Sequence, residues 1–140
     1  MIAYFDASAV VPLVLHEVGS QRAIDYWDEA ERVMSVSVAH VEAHAALVRA
    51  ERGRRISKAE LRSFTGVLER VLETMSFIAV DDELIRTGVV IAQSTGLRAY
   101  DAVHLAAAMS LNDSDVVFVA GDRALLEAAA AVGLHTASTA

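Results

Sequence analysis

The sequence has no cysteine, a single proline and only 7 glycines among its 140 residues. Without cysteine the chain cannot form disulfides, thiolate zinc sites, iron–sulfur clusters or a cysteine nucleophile. Basic residues are also few, since 12 Lys and Arg stand against 19 Asp and Glu, which gives a formal net charge of −7. This balance disfavours a protein that coats duplex nucleic acid or lies on a membrane surface. It still allows an enzyme that meets nucleic acid through metal ions.

Long apolar segments are absent as well. No segment approaches the roughly 20 apolar residues of a membrane-spanning helix, so we expect no membrane partner. The segment 1–6 contains no basic residue and reaches an acid at once, unlike a signal peptide, and we expect a cytoplasmic protein. The length and the apolar content of 54% predict one globular domain over residues 1–140.

Short apolar segments alternate with helical patterns along the chain. Strands that alternate with helices favour an α/β fold, in which helices cover both faces of a parallel sheet. Such sheets bind ligands beyond the carboxyl ends of their strands, so polar residues there are candidates for chemistry. The predicted strands are 2–5, 33–36, 77–80 and 116–119, with a last short strand near His135.

Two acids lie at the ends of predicted strands. Asp6 ends the first strand, and Asp122 follows the fourth. Both positions place a carboxylate at the carboxyl edge of the sheet. The alternative explanation for each acid is that it caps the helix that begins there.

Two further acids lie on predicted helices in unusual places. Glu42 borders the apolar stripe that we predict as the core face of helix 38–51, and the alternative interpretation is an edge residue that reaches water. Asp101 lies in the first turn of a helix that is otherwise apolar except for His104, and capping is its alternative role. The predicted stripe consists of Val38, Val41, Ala45 and Val48.

Four carboxylates at one sheet edge repel one another, and without neutralisation at least one pKa rises. Bound divalent cations remove that penalty, and oxygen ligands without thiolates suit Mg²⁺ or Mn²⁺. Two such ions balance four negative charges. The arrangement suits phosphodiester hydrolysis, in which one ion activates a water molecule and the other stabilises the leaving oxygen.

The segments around these acids resemble the motifs of the PIN domain, and their order and the chain length are similar to VapC-type toxins of bacterial type II toxin–antitoxin modules. The resemblance covers nearly the whole chain. It implies a three-layer α/β/α sandwich with a central parallel sheet of about five strands. The matching segments are 5–11, 41–42, 100–108 and 121–125.

The resemblance also implies an activity, which is a Mg²⁺- or Mn²⁺-dependent endoribonuclease that cuts single-stranded or loop RNA with water as the nucleophile. It implies a homodimer and a cognate VapB-like antitoxin whose C-terminal segment blocks the groove. Ser8 matches a residue that orders the first acid. Many members carry Thr or Ser shortly before the fourth acid, where this chain has Ala120 and Gly121, so we expect the site to rest mainly on the first three acids. The implied catalytic and metal-binding acids are Asp6, Glu42, Asp101 and Asp122.

Half of the 12 basic residues lie in segment 49–62. One interpretation is a solvated connection between helices. The other is a local patch for the RNA backbone, with Arg54 and Arg55 as candidate contacts. Arg98 and Arg123 flank two of the proposed ligands and are further candidates for RNA binding. The cluster comprises Arg49, Arg52, Arg54, Arg55, Lys58 and Arg62.

Two other functions fit the same residues. A PIN nuclease of RNA processing that is not a toxin differs from a toxin in having no antitoxin gene beside its own. A catalytically silent binding module, whose carboxylates only cap helices, has no reason to bind Mn²⁺.

Overall fold

The computed structural model describes residues 1–140 and contains one sheet of five strands. The strand order is β3-β2-β1-β4-β5, and every neighbouring pair is parallel. The predicted α/β fold with a parallel sheet is therefore confirmed. The strands are Ile2–Phe5 (β1), Arg32–Val36 (β2), Ser76–Ile78 (β3), Val116–Ala120 (β4) and His135–Ser138 (β5).

Seven α-helices connect and cover these strands, and a short 3₁₀ helix at Val11–Leu13 follows the first of them. None of the helices combines the length and the apolar character needed to cross a membrane. The α-helices are Ala7–Val10 (α1), Ser20–Glu29 (α2), Ala39–Arg52 (α3), Lys58–Thr74 (α4), Asp82–Thr95 (α5), Ala99–Ser110 (α6) and Arg123–Ala131 (α7).

Local capping chemistry sets several of these helix ends. The Ser57 hydroxyl accepts a hydrogen bond from the Glu60 backbone N–H, and the Glu60 carboxylate accepts one from the Ser57 N–H. This reciprocal pair satisfies two backbone donors that the first turn of α4 leaves free. Gly96 ends α5 with a φ of 73°, a left-handed conformation that costs glycine little.

Each face of the sheet carries its own apolar core. The side chains of β1 alternate, so that Ala3 and Phe5 join a core with α1 to α4, while Tyr4 joins a core with α5, α6 and α7. Because both faces are covered, the adjacent strands β1 and β4 are short apolar segments without a polar side. The result is a three-layer α/β/α sandwich with β1 at its centre.

The core face of α3 differs from the prediction. Val41 is 73% exposed and Val48 is also exposed, so the predicted stripe was wrong. The buried stripe contains mostly small side chains, which let the helix lie close to its neighbours. Both stripes recur at helical spacing, and hydrophobicity alone favoured the larger valines. The buried residues are Ala39, Ala43, Leu47 and Ala50.

The topology creates a crevice at the carboxyl edge of the central strand. After β1 the chain adds β2 and β3 on one side, and then returns to add β4 and β5 on the other side. The connections that leave β1 and β4 therefore run to different layers, and they separate at this edge. Asp6 follows β1 and Asp122 follows β4, so both acids lie beside the crevice.

We expect Gly19→Ala to destabilise the protein, because a Cβ at residue 19 overlaps the backbone carbonyl oxygen of Thr139. Relieving such overpacking typically costs about 1–3 kcal/mol. Gly66→Ala in α4 is the matched control, since its Cβ meets only Arg70 Nη1 at 3.7 Å. The control is expected to stabilise the helix by about 0.5–1 kcal/mol. Urea unfolding of the two variants measures both changes, and equal midpoints contradict this packing.

Candidate active site

A cavity of about 640 Å³ opens at the carboxyl edge of the sheet, and all four predicted acids line it. Asp6 and Asp122 come from the ends of β1 and β4. Glu42 and Asp101 come from the first turns of α3 and α6. Ser8 lines the same cavity. The fold thus brings together side chains that lie far apart in the sequence.

Asp6 is 5% exposed, although it carries an ionisable group. It occupies the N-cap position of α1 but makes no capping bond with its side chain. The Ser8 hydroxyl donates to Asp6 Oδ1 at 2.6 Å and accepts a hydrogen bond from the Gly121 N–H at 2.8 Å. Ser8 therefore connects the first acid to the backbone that leads to Asp122.

The electrostatics of Asp6 reflect its burial. Loss of water contact raises the pKa of Asp6 to about 6 from an ordinary value of 3.8. The carboxylates of Glu42 and Asp101 raise this pKa further, whereas His104 and the Ser8 hydrogen bond lower it. His104 and Ser8 offset only part of the cost of burying the charge, so the ionised form of Asp6 is less favourable than in water.

Asp101 shows the same crowding in a more open position. Partial burial raises its pKa, and the nearby carboxylates of Asp122 and Glu42 raise it too. Arg98, the N-cap residue of α6, opposes this change in pKa. Since Asp101 forms none of the side-chain hydrogen bonds that cap a helix, capping does not explain its presence.

Asp122 does cap a helix. Its Oδ1 accepts a hydrogen bond from the Leu125 N–H at 2.9 Å, at the start of α7. The capping alternative considered for this acid therefore applies to one of its oxygens. Oδ2 is not used in this bond, and the side chain still lines the cavity.

Glu42 is held by a residue that the sequence analysis did not select. His104 Nε2 lies 2.6 Å from Glu42 Oε1, and His104 is completely buried. His104 follows Asp101 by three residues, so both lie on one face of α6. The sequence does contain an indication, because His104 is the only polar residue in the segment 102–108.

The acids line the cavity without converging on one point. No group of three or more His, Cys, Asp or Glu side chains in the chain is arranged to hold a metal ion. The donor chemistry nevertheless fits a hard divalent cation, because the donors are carboxylate oxygens that carry excess negative charge. Mg²⁺ usually keeps several of its waters and binds through one or two carboxylates, so it does not need a closed set of ligands.

The basic residues divide between this cavity and the outer surface. Arg49 and Arg55 line the cavity together with the acids, and Arg55 Nη1 lies 3.8 Å from Glu17 Oε1. Of the four basic residues predicted to bind RNA, only Arg55 is among the lining residues. The other three, which lie outside it, are Arg54, Arg98 and Arg123.

Comparisons with known proteins show similarity in sequence to one family and similarity in fold to solved structures. Residues 3–131 match the PIN domain family. The chain is 32% identical over 136 residues to ribonuclease VapC45 of Mycobacterium tuberculosis, covering 97% of this chain and 94% of the relative. The structure of FitAcB from Neisseria gonorrhoeae is similar with a TM-score of 0.74 at 15% identity, covering 99% of this chain and 98% of that one. A toxin-antitoxin complex from Klebsiella pneumoniae gives a TM-score of 0.58 at 18% identity, covering 86% of each chain.

We expect Asp6→Asn to stabilise the protein in EDTA at neutral pH. Because the folded-state pKa of about 6 lies above 3.8, the folded state binds more protons between these values, and stability is lost as the pH rises through this window. The neutral amide avoids that loss, which amounts to roughly 3 kcal/mol. Thermal unfolding at neutral pH and below about pH 4 measures the difference, which disappears at the acidic pH where the carboxyl is neutral in both states. If the wild type is as stable as the variant at neutral pH, the cost of burying the Asp6 carboxylate is compensated and this prediction is wrong.

Proposed function

This chain belongs to the PIN-domain family, and on that premise we propose that it is a metal-dependent endoribonuclease of the VapC type and the toxin of a type II toxin–antitoxin module. The observation that carries the proposal is the meeting of four carboxylates in one cavity beyond the sheet. The similarity to ribonuclease VapC45 over nearly the full length supports RNA as the substrate. The likeness in fold to a toxin-antitoxin complex supports a protein partner.

We assign the divalent cation, Mg²⁺ or Mn²⁺, to Asp6, Glu42 and Asp101, with Asp122 contributing the oxygen that does not cap α7. A cation held there would supply positive charge to activate a water molecule and to stabilise the leaving oxygen of a phosphodiester. Burial raises the pKa of Asp6, and the neighbouring carboxylates raise it further. Both effects support this assignment, because a nearby cation favours the ionised carboxylate. Ser8 keeps Asp6 in place through its hydrogen bond to Oδ1.

The RNA backbone needs positive charge that the chain as a whole does not offer, since the net charge is −7. Arg49 and Arg55 provide it locally, because both line the cavity that contains the acids. We propose that they contact phosphates beside the one that is cut. Contacts from Arg54, Arg98 and Arg123 stay predictions, and Arg123 already pairs with Glu127 at 3.1 Å.

The apolar lining of the cavity favours a toxin over a nuclease that meets only RNA. Aliphatic side chains line the cavity next to the acids, and the phosphate backbone of RNA gains little from them. Side chains of an antitoxin segment bury apolar surface there, and a basic side chain of that segment matches the acids. The homodimer stays an expectation from the family. The aliphatic lining residues are Ala7, Val11, Val38, Val41, Ala45 and Ala46.

We expect Asp6→Asn to reduce cleavage of single-stranded RNA to the level without enzyme, because the amide keeps the shape of the side chain but loses the charge that holds the cation. Growth inhibition on expression should disappear with it, and EDTA should abolish cleavage by the wild type. Circular dichroism checks that the variant is folded.

Asp81→Asn is the matched control for this experiment. Asp81 also follows a strand, and its Oδ1 caps α5 by accepting from the Leu84 N–H. Asparagine caps helices about as well as aspartate, so cleavage should persist. An active Asp6→Asn variant excludes the proposed site. A wild type that binds no Mn²⁺ and cuts no RNA supports a binding module instead.

We further expect Arg49→Ala combined with Arg55→Ala to weaken RNA binding and to flatten its salt dependence. For a single strand, the slope of log affinity against log salt should fall by about 0.7 for each phosphate that an arginine no longer neutralises. Lys58→Ala with Arg62→Ala is the matched control, since it removes the same charge outside the cavity. Fluorescence anisotropy across a salt series with metal-free Asp6→Asn protein avoids cleavage. Equal slopes for the two double variants contradict a role for the cavity arginines.

A further inference from the structure

A hydrogen-bonded chain of three side chains runs through the interior behind the cavity. The Tyr4 hydroxyl lies 2.9 Å from His104 Nδ1, and His104 Nε2 lies 2.6 Å from Glu42 Oε1. Tyr4 and His104 are completely buried, whereas the Glu42 side chain is 25% exposed. This series of hydrogen bonds therefore starts at Tyr4 in the central strand, passes through His104 on α6 and ends at Glu42 on α3, beside the cavity.

Burying a histidine at position 104 costs more free energy than burying an aliphatic residue there. It lies on α6 among the buried apolar residues Ala102 and Leu105, where an aliphatic side chain would pack without any polar group. A buried imidazole costs free energy unless its nitrogens are hydrogen-bonded. Both nitrogens of His104 have hydrogen-bond partners, so the surroundings offset the cost of burying this side chain.

The donor and acceptor of each of these hydrogen bonds follow from the chemistry of the side chains. The carboxylate of Glu42 accepts only, so His104 Nε2 carries the hydrogen of that bond. Burial raises the pKa of Tyr4 well above its usual range, which keeps its hydroxyl neutral and able to donate to Nδ1. This pair of bonds selects one tautomer and one ring orientation of His104.

We propose that His104, supported by Tyr4, is a positioning residue that holds the Glu42 carboxylate in the orientation required to bind a divalent cation. The inference rests on the proposed metal site. The hydrogen bond to His104 uses Oε1 and leaves Oε2 of Glu42 free. A glutamate side chain has several rotatable bonds, and fixing it before the cation binds removes part of the entropy cost of binding.

Two substitutions of the same residue test this role through Mn²⁺ affinity, measured by titration calorimetry without RNA. In His104→Gln the amide N–H₂ lies near the place of Nε2 and still donates to Glu42. In His104→Asn the shorter amide lies near the place of Nδ1 and does not reach Glu42. Loss of a hydrogen bond that orients a ligand typically weakens metal binding by about 10–100-fold. We expect that loss for asparagine and a much smaller one for glutamine.

A double-mutant cycle with Glu42→Gln separates positioning from general damage to the fold. If His104 acts through Glu42, His104→Asn has no further effect on Mn²⁺ affinity in the Glu42→Gln background. An equal loss in both backgrounds overturns the positioning role, and so does equal affinity of the asparagine and glutamine variants. A wild type that binds no Mn²⁺ contradicts the metal site itself, so the two failures are distinct.

Tyr4→Phe keeps the inference testable if His104→Asn does not fold. The ring of Tyr4 stacks on Phe118 with centroids 5.2 Å apart, and phenylalanine preserves that packing. The substitution removes only the hydroxyl that orients His104. We expect a few-fold loss of Mn²⁺ affinity. An unchanged affinity overturns the proposed role of Tyr4 in orienting His104.

Discussion

The buried carboxylate of Asp6 constrains the whole site. An ionised carboxylate that is almost completely removed from water is costly unless other groups compensate it, and within the chain only the Ser8 hydroxyl bonds to it directly. Glu42 and Asp101 add negative charge rather than remove it. The fold tolerates this arrangement because apolar cores on both faces of the sheet hold β1 in place. A concentration of carboxyl groups thus lies beside the central strand, at the cavity.

The sheet topology decides which side chains share that centre. Parallel strands end at the same edge, and the loops from β1 and β4 separate there to different layers, which opens the cavity. The cavity is lined by the four acids, by Arg49 and Arg55, and by several apolar side chains. The two arginines make the cavity locally less negative than the protein as a whole, which is the condition that the proposed RNA binding requires. If the proposed function is correct, RNA and an antitoxin segment compete for this one cavity.

Much of the fold was predictable because its determinants are local. Short apolar segments between helical patterns indicated a parallel sheet. The helix ends are also set locally, as the reciprocal cap of Ser57 and Glu60 at the start of α4 illustrates. Gly96 likewise ends α5, because glycine adopts the left-handed backbone there at little cost. The acids at strand ends were recognisable for the same reason, since a charge directly after a buried strand has few places to lie. The family resemblance added Glu42, which the helical pattern alone left ambiguous.

The sequence by itself determined the α/β class, the order of the elements and the set of acids near one sheet edge. Only the tertiary structure decided which apolar stripe of α3 is buried, because two stripes share the helical period and long-range packing selects between them. It also decided that Arg55, and not the adjacent Arg54, lines the cavity, since Arg54 turns the chain with a φ of 59°. The bond between His104 and Glu42 joins residues 62 positions apart. No local pattern encodes such a contact, because it exists only once the helical layers have packed on the sheet.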